Sequence, residues 1–199
     1  MTNETHTHHF SGWAKERAAE MDATLTSIEA HLGALHADAK KQAEKAVSEI
    51  RAQREVFHEA IRKQQHEGED TWAKAKTALN ANWTSFEAIV QKYMSEARQN
   101  TEQQQSTFKA RAEAQRKAWQ ETIDGLRGKV NAYAAGKKQD LDAALGHLKT
   151  EADSAKSKLE TKQKAGEQSW AALNTALEES RTAFDKASQK ALEAFKKAA

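Results

Sequence analysis

Apolar side chains recur at three- and four-residue spacing along most of this chain. One stripe passes through Met21, Leu25, Ile28, Leu32, Leu35, Ala39, Ala43, Val47 and Ile50, then through positions 54, 57 and 61. It continues through Trp72, Ala75, Leu79, Trp83, Phe86, Val90 and Tyr93. The mean spacing is close to the ~3.6 residues of a helical turn, and the two-residue alternation of a half-buried strand is absent. The pattern predicts an all-α protein: long amphipathic helices in an elongated antiparallel coiled coil or helical bundle.

The stripe repeats. Displacing the chain by 98 residues aligns 14–101 with 112–199 without a gap, and 18 of the 88 pairs are identical. Random order at this composition gives roughly eight. TWAKAKTALNANWTSF (71–86) falls on SWAALNTALEESRTAF (169–184), and Gly68 falls on Gly166. Apolar substitutions keep register, as in Met21/Trp119, Leu25/Ile123 and Ile28/Leu126. This predicts a tandem duplication: a polar tail over 1–10, a first helical repeat over 11–101 and a second over 102–199. Within the repeats, Trp72–Leu79–Phe86, Trp119–Leu126–Tyr133 and Trp170–Leu177–Phe184 share seven-residue spacing. Seven residues are two turns, so each triplet lines one helix face, and these nine are the expected packing anchors. Trp13 lies outside the triplets and is expected to matter less.

Helix breaks are predicted near Gly68 and Gly166, with Thr71 and Ser169 capping the helices that follow. A further break is expected near Asn100, where Thr101 and Gln104 fit a capping box. Gly136 suggests another, and its repeat partner Asp38 an equivalent turn near 36–39. All these breaks together make six helices of about 28 residues; fewer make four longer ones. The unbroken stripe favours fewer breaks.

Composition sharpens this picture. Pro and Cys are absent, which permits long helices and excludes disulfides and thiolate metal sites. Ala supplies 39 of the apolar residues, so the stripe is narrow. The 31 basic and 29 acidic residues are interspersed, with no basic footprint for nucleic acid. No apolar run approaches the length of a transmembrane segment, and the start MTNETHTHHF lacks the apolar core of a secretory signal. A cytoplasmic location is expected.

Candidate chemistry is sparse. His6, His8 and His9 cluster in the tail and could chelate a metal weakly. Glu55 and His58 have the Glu-x-x-His spacing of di-iron bundles, but their repeat partners are Asp153 and Lys156, which removes the second half of such a site. Gln103, Gln104 and Gln105 read as a helix surface or turn. No phosphate loop or nucleophile elbow occurs. No catalytic, cofactor-binding or metal residue is expected, and no enzyme activity.

The expected function is that of a non-catalytic coiled-coil structural or interaction protein, self-associating or pairing with a partner helix. In its Ala/Lys/Glu/Gln-rich texture the chain also resembles the phasins of polyester granules and the exchangeable apolipoproteins. That resemblance is compositional, spans the chain thinly and transfers no residue. It implies an amphipathic protein coating a lipid or polymer granule. The Lys/Glu/Ala/Thr content is likewise similar to late-embryogenesis-abundant proteins, which implies a stress-protection role.

Overall fold

A computed structural model describes residues 2–64, 69–96, 101–165 and 169–198, with the backbone alone for 2–11, 64 and 69–73. Among these residues lie six helices: α1 (Thr2–His31), α2 (Ala37–Gln64), α3 (Glu69–Glu96), α4 (Thr101–Val130), α5 (Ala135–Lys164) and α6 (Trp170–Ala198). No strand occurs among the described residues. At 28 to 30 residues the helices are each about 45 Å long.

The preference for fewer, longer helices is therefore corrected. The reason lies in the first turn. Leu32–Ala34 forms one turn of 3-10 helix between α1 and α2. A 3-10 turn advances three residues per turn, so Leu32 and Leu35 both stay against the core and the stripe crosses the break without losing phase. Near Gly136 the break falls just upstream, between Val130 and Ala135, and Gly136 itself lies in the first turn of α5. Gly68, Asn100 and Gly166 lie outside the described residues. Thr71 sits inside α3, which starts at Glu69, so it does not precede the helix. Ser169 does cap α6: its hydroxyl accepts the Ala172 N–H at 3.3 Å. At the other end, α1 starts at Thr2, within the segment expected as a tail.

The two central helices are α1 and α4, which pack antiparallel: Ser27 meets Thr107, Glu16 meets Trp119, and Gly12 meets Thr122. The α2–α3 hairpin lies against α1, and the α5–α6 hairpin against α4; α6 also touches α1. Position on the stripe predicts burial well. Met21, Ile28, Val47, Ile50, Phe57, Leu79, Trp83, Phe86 and Val90 are all buried, and positions 32, 35, 61 and 75 pack at the edge of the same core.

Gly12 marks a close approach of α1 to α4. A Cβ there would lie 2.9 Å from Thr122 Oγ1 and 3.3 Å from its methyl carbon. The Thr122 hydroxyl donates to the Ala118 carbonyl at 2.9 Å, so it cannot swing away without losing that bond. Replacing Gly by Ala in a helix gains about 0.8–1 kcal/mol of propensity. Overpacking costs about 1–3 kcal/mol, and here it wins. Gly12→Ala should lower the denaturation midpoint, and adding Thr122→Ala should restore it. A midpoint that rises for Gly12→Ala alone contradicts the close crossing.

A buried charge cluster as candidate functional site

The expected anchors have the following places. Leu79, Phe86, Trp119, Leu126, Trp170, Leu177 and Phe184 are buried, and Tyr133 is partly buried against Phe195. The Trp72 side chain lies outside the described residues. Trp119 stacks on Phe184 with ring centroids 4.9 Å apart. Trp83 packs on Phe86 at 4.8 Å, and Phe57 bridges Trp83 and Trp13.

Glu55 accepts a hydrogen bond from Arg62, while His58 faces Asp22 at 3.7 Å. The two thus belong to separate ion pairs. The side chains of His6, His8 and His9 lie outside the described residues. No group of three metal-ligating side chains occurs among the described residues.

Sequence periodicity gave no hint of the feature at the centre of the bundle. On one side of α1, one-turn spacing places Trp13, Glu16, Arg17, Glu20, Thr24 and Ser27, all buried, with Glu16, Glu20 and Ser27 bonded to α4. On α4 the matching face presents Gln104, Thr107, Arg111, Gln115 and Trp119, again all buried. Gln103 and Gln104 are therefore interior residues rather than the surface or turn expected. Gln103 donates to the Tyr93 hydroxyl at 2.6 Å, and Gln104 to the Met94 carbonyl at 3.0 Å.

Glu20 is the hub. Its Oε1 accepts from Arg181 Nε at 2.9 Å and Gln115 Nε2 at 2.9 Å. Its Oε2 accepts from Arg181 Nη2 at 3.0 Å and Arg111 Nε at 3.0 Å. A carboxylate has about four lone-pair sites, and all are used. Arg111 also grips Glu87 of α3 through both terminal nitrogens and reaches Asn174 Oδ1 at 3.3 Å. Arg181 adds a 3.3 Å contact to Glu87. The three guanidinium groups surround one indole: Arg181, Arg17 and Arg111 lie 4.5, 5.6 and 5.8 Å from the Trp83 ring centre.

These environments pull two neighbouring carboxyls apart. Burial alone would raise Glu20, but Arg181 and Arg111 outweigh it and hold the group at about 2. For Glu16, burial and then the Asp185 charge outweigh Arg17, and the carboxyl is pushed up to about 8. Desolvation works against the charge of Arg111, yet Glu87 and Glu20 together raise it above the ordinary guanidinium value.

The Glu20–Arg111 pair is sealed, with both side chains at 0% exposure. Two grooves lie on the outside of the hairpins. One, of about 560 Å³, lies between α5 and α6 beside His147, Glu151, Lys186 and Lys190. The other, of about 340 Å³, lies between α2 and α3 beside Lys45, Glu49, Lys92 and Glu96. Neither reaches the cluster. No protein-family model, curated protein or solved structure matches this chain.

Proposed function

We propose that this chain is a non-catalytic helical module that acts as a structural or interaction protein through its outer faces. One observation carries the reading: the dense polar chemistry of the molecule is sealed and hydrogen-bonded inside the bundle, where no substrate can reach it. The apolar stripe is likewise consumed internally, and Val56 is the exposed large apolar side chain among the described residues. A partner therefore meets charged helix surfaces. No described helix is long and apolar enough to cross a membrane. A cytoplasmic setting is part of this proposal.

We further propose that the chain is a tandem duplication of a three-helix unit, α1–α3 followed by α4–α6, packed as antiparallel coiled-coil pairs. Besides the 98-residue repeat, cross-half pairing supports it. Glu87 and Asp185 occupy equivalent positions, and each bonds an arginine on the central helix of the other half, Arg111 and Arg17.

A second reading, of an amphipathic protein that opens onto a lipid or polymer surface, draws on the same cluster. Opening would rehydrate Glu20, Arg111 and Arg181, which offsets part of the cost of exposing the stripe. Circular dichroism and light scattering with and without anionic vesicles separate the two. The module reading expects full helicity without lipid and no change on adding vesicles. Vesicle-bound protein with altered tryptophan emission supports opening instead.

Under either reading Leu79 and Leu177 are buried at 1% and 0% exposure. Leu79→Asp with Leu177→Asp places two carboxylates in the core, where desolvation is prohibitive. The double variant should lose cooperative unfolding at every protein concentration. A cooperative melt would show that these leucines are dispensable.

A further inference from the structure

Four carboxyls and three guanidinium groups form one network through this bundle, Glu16, Glu20, Glu87 and Asp185 against Arg17, Arg111 and Arg181, with Asp185 at its partly exposed edge. With every group ionised the cluster carries one uncompensated negative charge. An isolated charge in such a place is strongly disfavoured, and a carboxyl can escape by keeping its proton.

The geometry identifies which one. Glu20 accepts from two arginines and Gln115. Both oxygens of Glu87 are held by Arg111, with Arg181 beside them. Asp185 on α6 takes Arg17 Nη2 at 2.8 Å. Glu16 accepts on one oxygen from a neutral donor, the Trp119 indole N–H of α4, at 3.0 Å. Its other oxygen lies 3.5 Å from Arg17 Nη1, on a guanidinium already committed to Asp185, and its side chain is 2% exposed. Lys76 of α3 sits over the Trp13 ring at 5.6 Å.

We propose that Glu16 is the proton-carrying element of a pH-responsive latch, which holds α1 against α4 and α6 while protonated and loosens them when the proton leaves. Loss of the proton puts a second carboxylate one helical turn from Glu20 and close to Asp185, with only the Arg17 that it shares with Asp185 beside it among the described residues. The closed bundle is thereby weakened at the α1–α6 contact.

The sign follows from linkage. Glu16 binds its proton more tightly folded than unfolded, so its contribution is complete below about pH 4.5 and is lost as pH rises through about 8. Between pH 5 and pH 9 the unfolding constant should rise by on the order of several hundredfold from this group. Glu16→Gln keeps the shape and can still accept the Trp119 N–H, but has no proton to lose. Urea denaturation of the full chain and of Glu16→Gln at pH 5, 7 and 9 is the test. The expected result is a wild-type decline with pH that is larger than that of the variant by roughly that factor. Equal pH dependence in both overturns the latch. If the variant does not fold, infrared difference spectra of wild type between pH 6 and pH 9 decide. Disappearance of a buried carboxylic-acid C=O band supports the proposal, and absence of any such band at pH 6 overturns it.

Discussion

Arg111→Met should lower the unfolding free energy by about 3–5 kcal/mol, among the largest effects of any single substitution outside the apolar core. The cost does not measure the strength of the ion pair. It arises because the guanidinium leaves behind Glu20, which is fully buried, and Glu87, which keeps only the 3.3 Å contact with Arg181. A buried carboxylate deprived of one partner retains its full desolvation penalty. Adding Glu20→Met to Arg111→Met should therefore recover much of the loss. The double variant leaves two arginines facing Glu87 and Asp185, Arg181 with Glu87 and Arg17 with Asp185, beside Glu16 with its proton, and Met fills the vacated space. Denaturation of the two single variants and the double in one cycle measures this. Additive losses would mean that the two side chains act independently, contrary to the geometry. Arg116→Met is the control: Arg116 pairs with Glu113 on the exposed face of α4, and its removal should leave the midpoint almost unchanged. Acid provides a second check. Glu20 is held at about 2 in the fold, below its ordinary 4.5. Its stabilising contribution is therefore present above pH 4.5 and fades as pH falls towards 2.

How much of this was legible in the sequence differs from helix to helix. The α2 and α3 stripes are plain, since each of these helices buries one face and shows the other to water. The stripe of α1 is equally regular at Met21, Leu25 and Ile28, but it marks only half of what is buried. As a central helix, α1 also buries Glu16, Arg17, Glu20, Thr24 and Ser27 on its other sides. Helical spacing cannot separate polar residues facing a neighbour from polar residues facing solvent. The same ambiguity hid Gln103, Gln104, Arg111 and Gln115 on α4. One signal was available: the segment around RQNTEQQQST has few large apolar side chains, yet it must supply a long helix with something to pack. Charge counting along the chain could not find the cluster either, because its bonded members lie up to 168 residues apart, as Arg17 and Asp185 do. The stripe conceals the number of helices for a different reason, the phase-preserving 3-10 turn at Leu32–Ala34.

Trp13→Ala should cost about 3–5 kcal/mol, as much as Trp170→Ala, although the repeat alone ranks Trp13 lower. Repeat matching begins at residue 14, so Trp13 falls one position outside the aligned segment. The fold gives it full weight. Trp13 is 5% exposed, against 4% for Trp170. Its ring stacks on Phe57 with centroids 6.1 Å apart and planes inclined by 28°. The Arg17 guanidinium lies 4.3 Å from the ring centre, closer than any other cation to an aromatic ring in the described structure. Arg17 also donates to the Trp13 carbonyl at 3.3 Å, which holds the guanidinium over the indole. Truncation therefore removes a large apolar side chain and uncovers the arginine that serves Asp185 and Glu16. The position that the repeat pairs with Trp13 is Arg111, which stands over Phe86 at 5.3 Å. Trp13→Phe keeps a ring for Arg17 and should retain much of the stability lost in Trp13→Ala. Urea midpoints for Trp13→Ala, Trp13→Phe and Trp170→Ala measure the order. A Trp13→Ala variant within about 1 kcal/mol of wild type would place Trp13 outside the core that the geometry assigns to it.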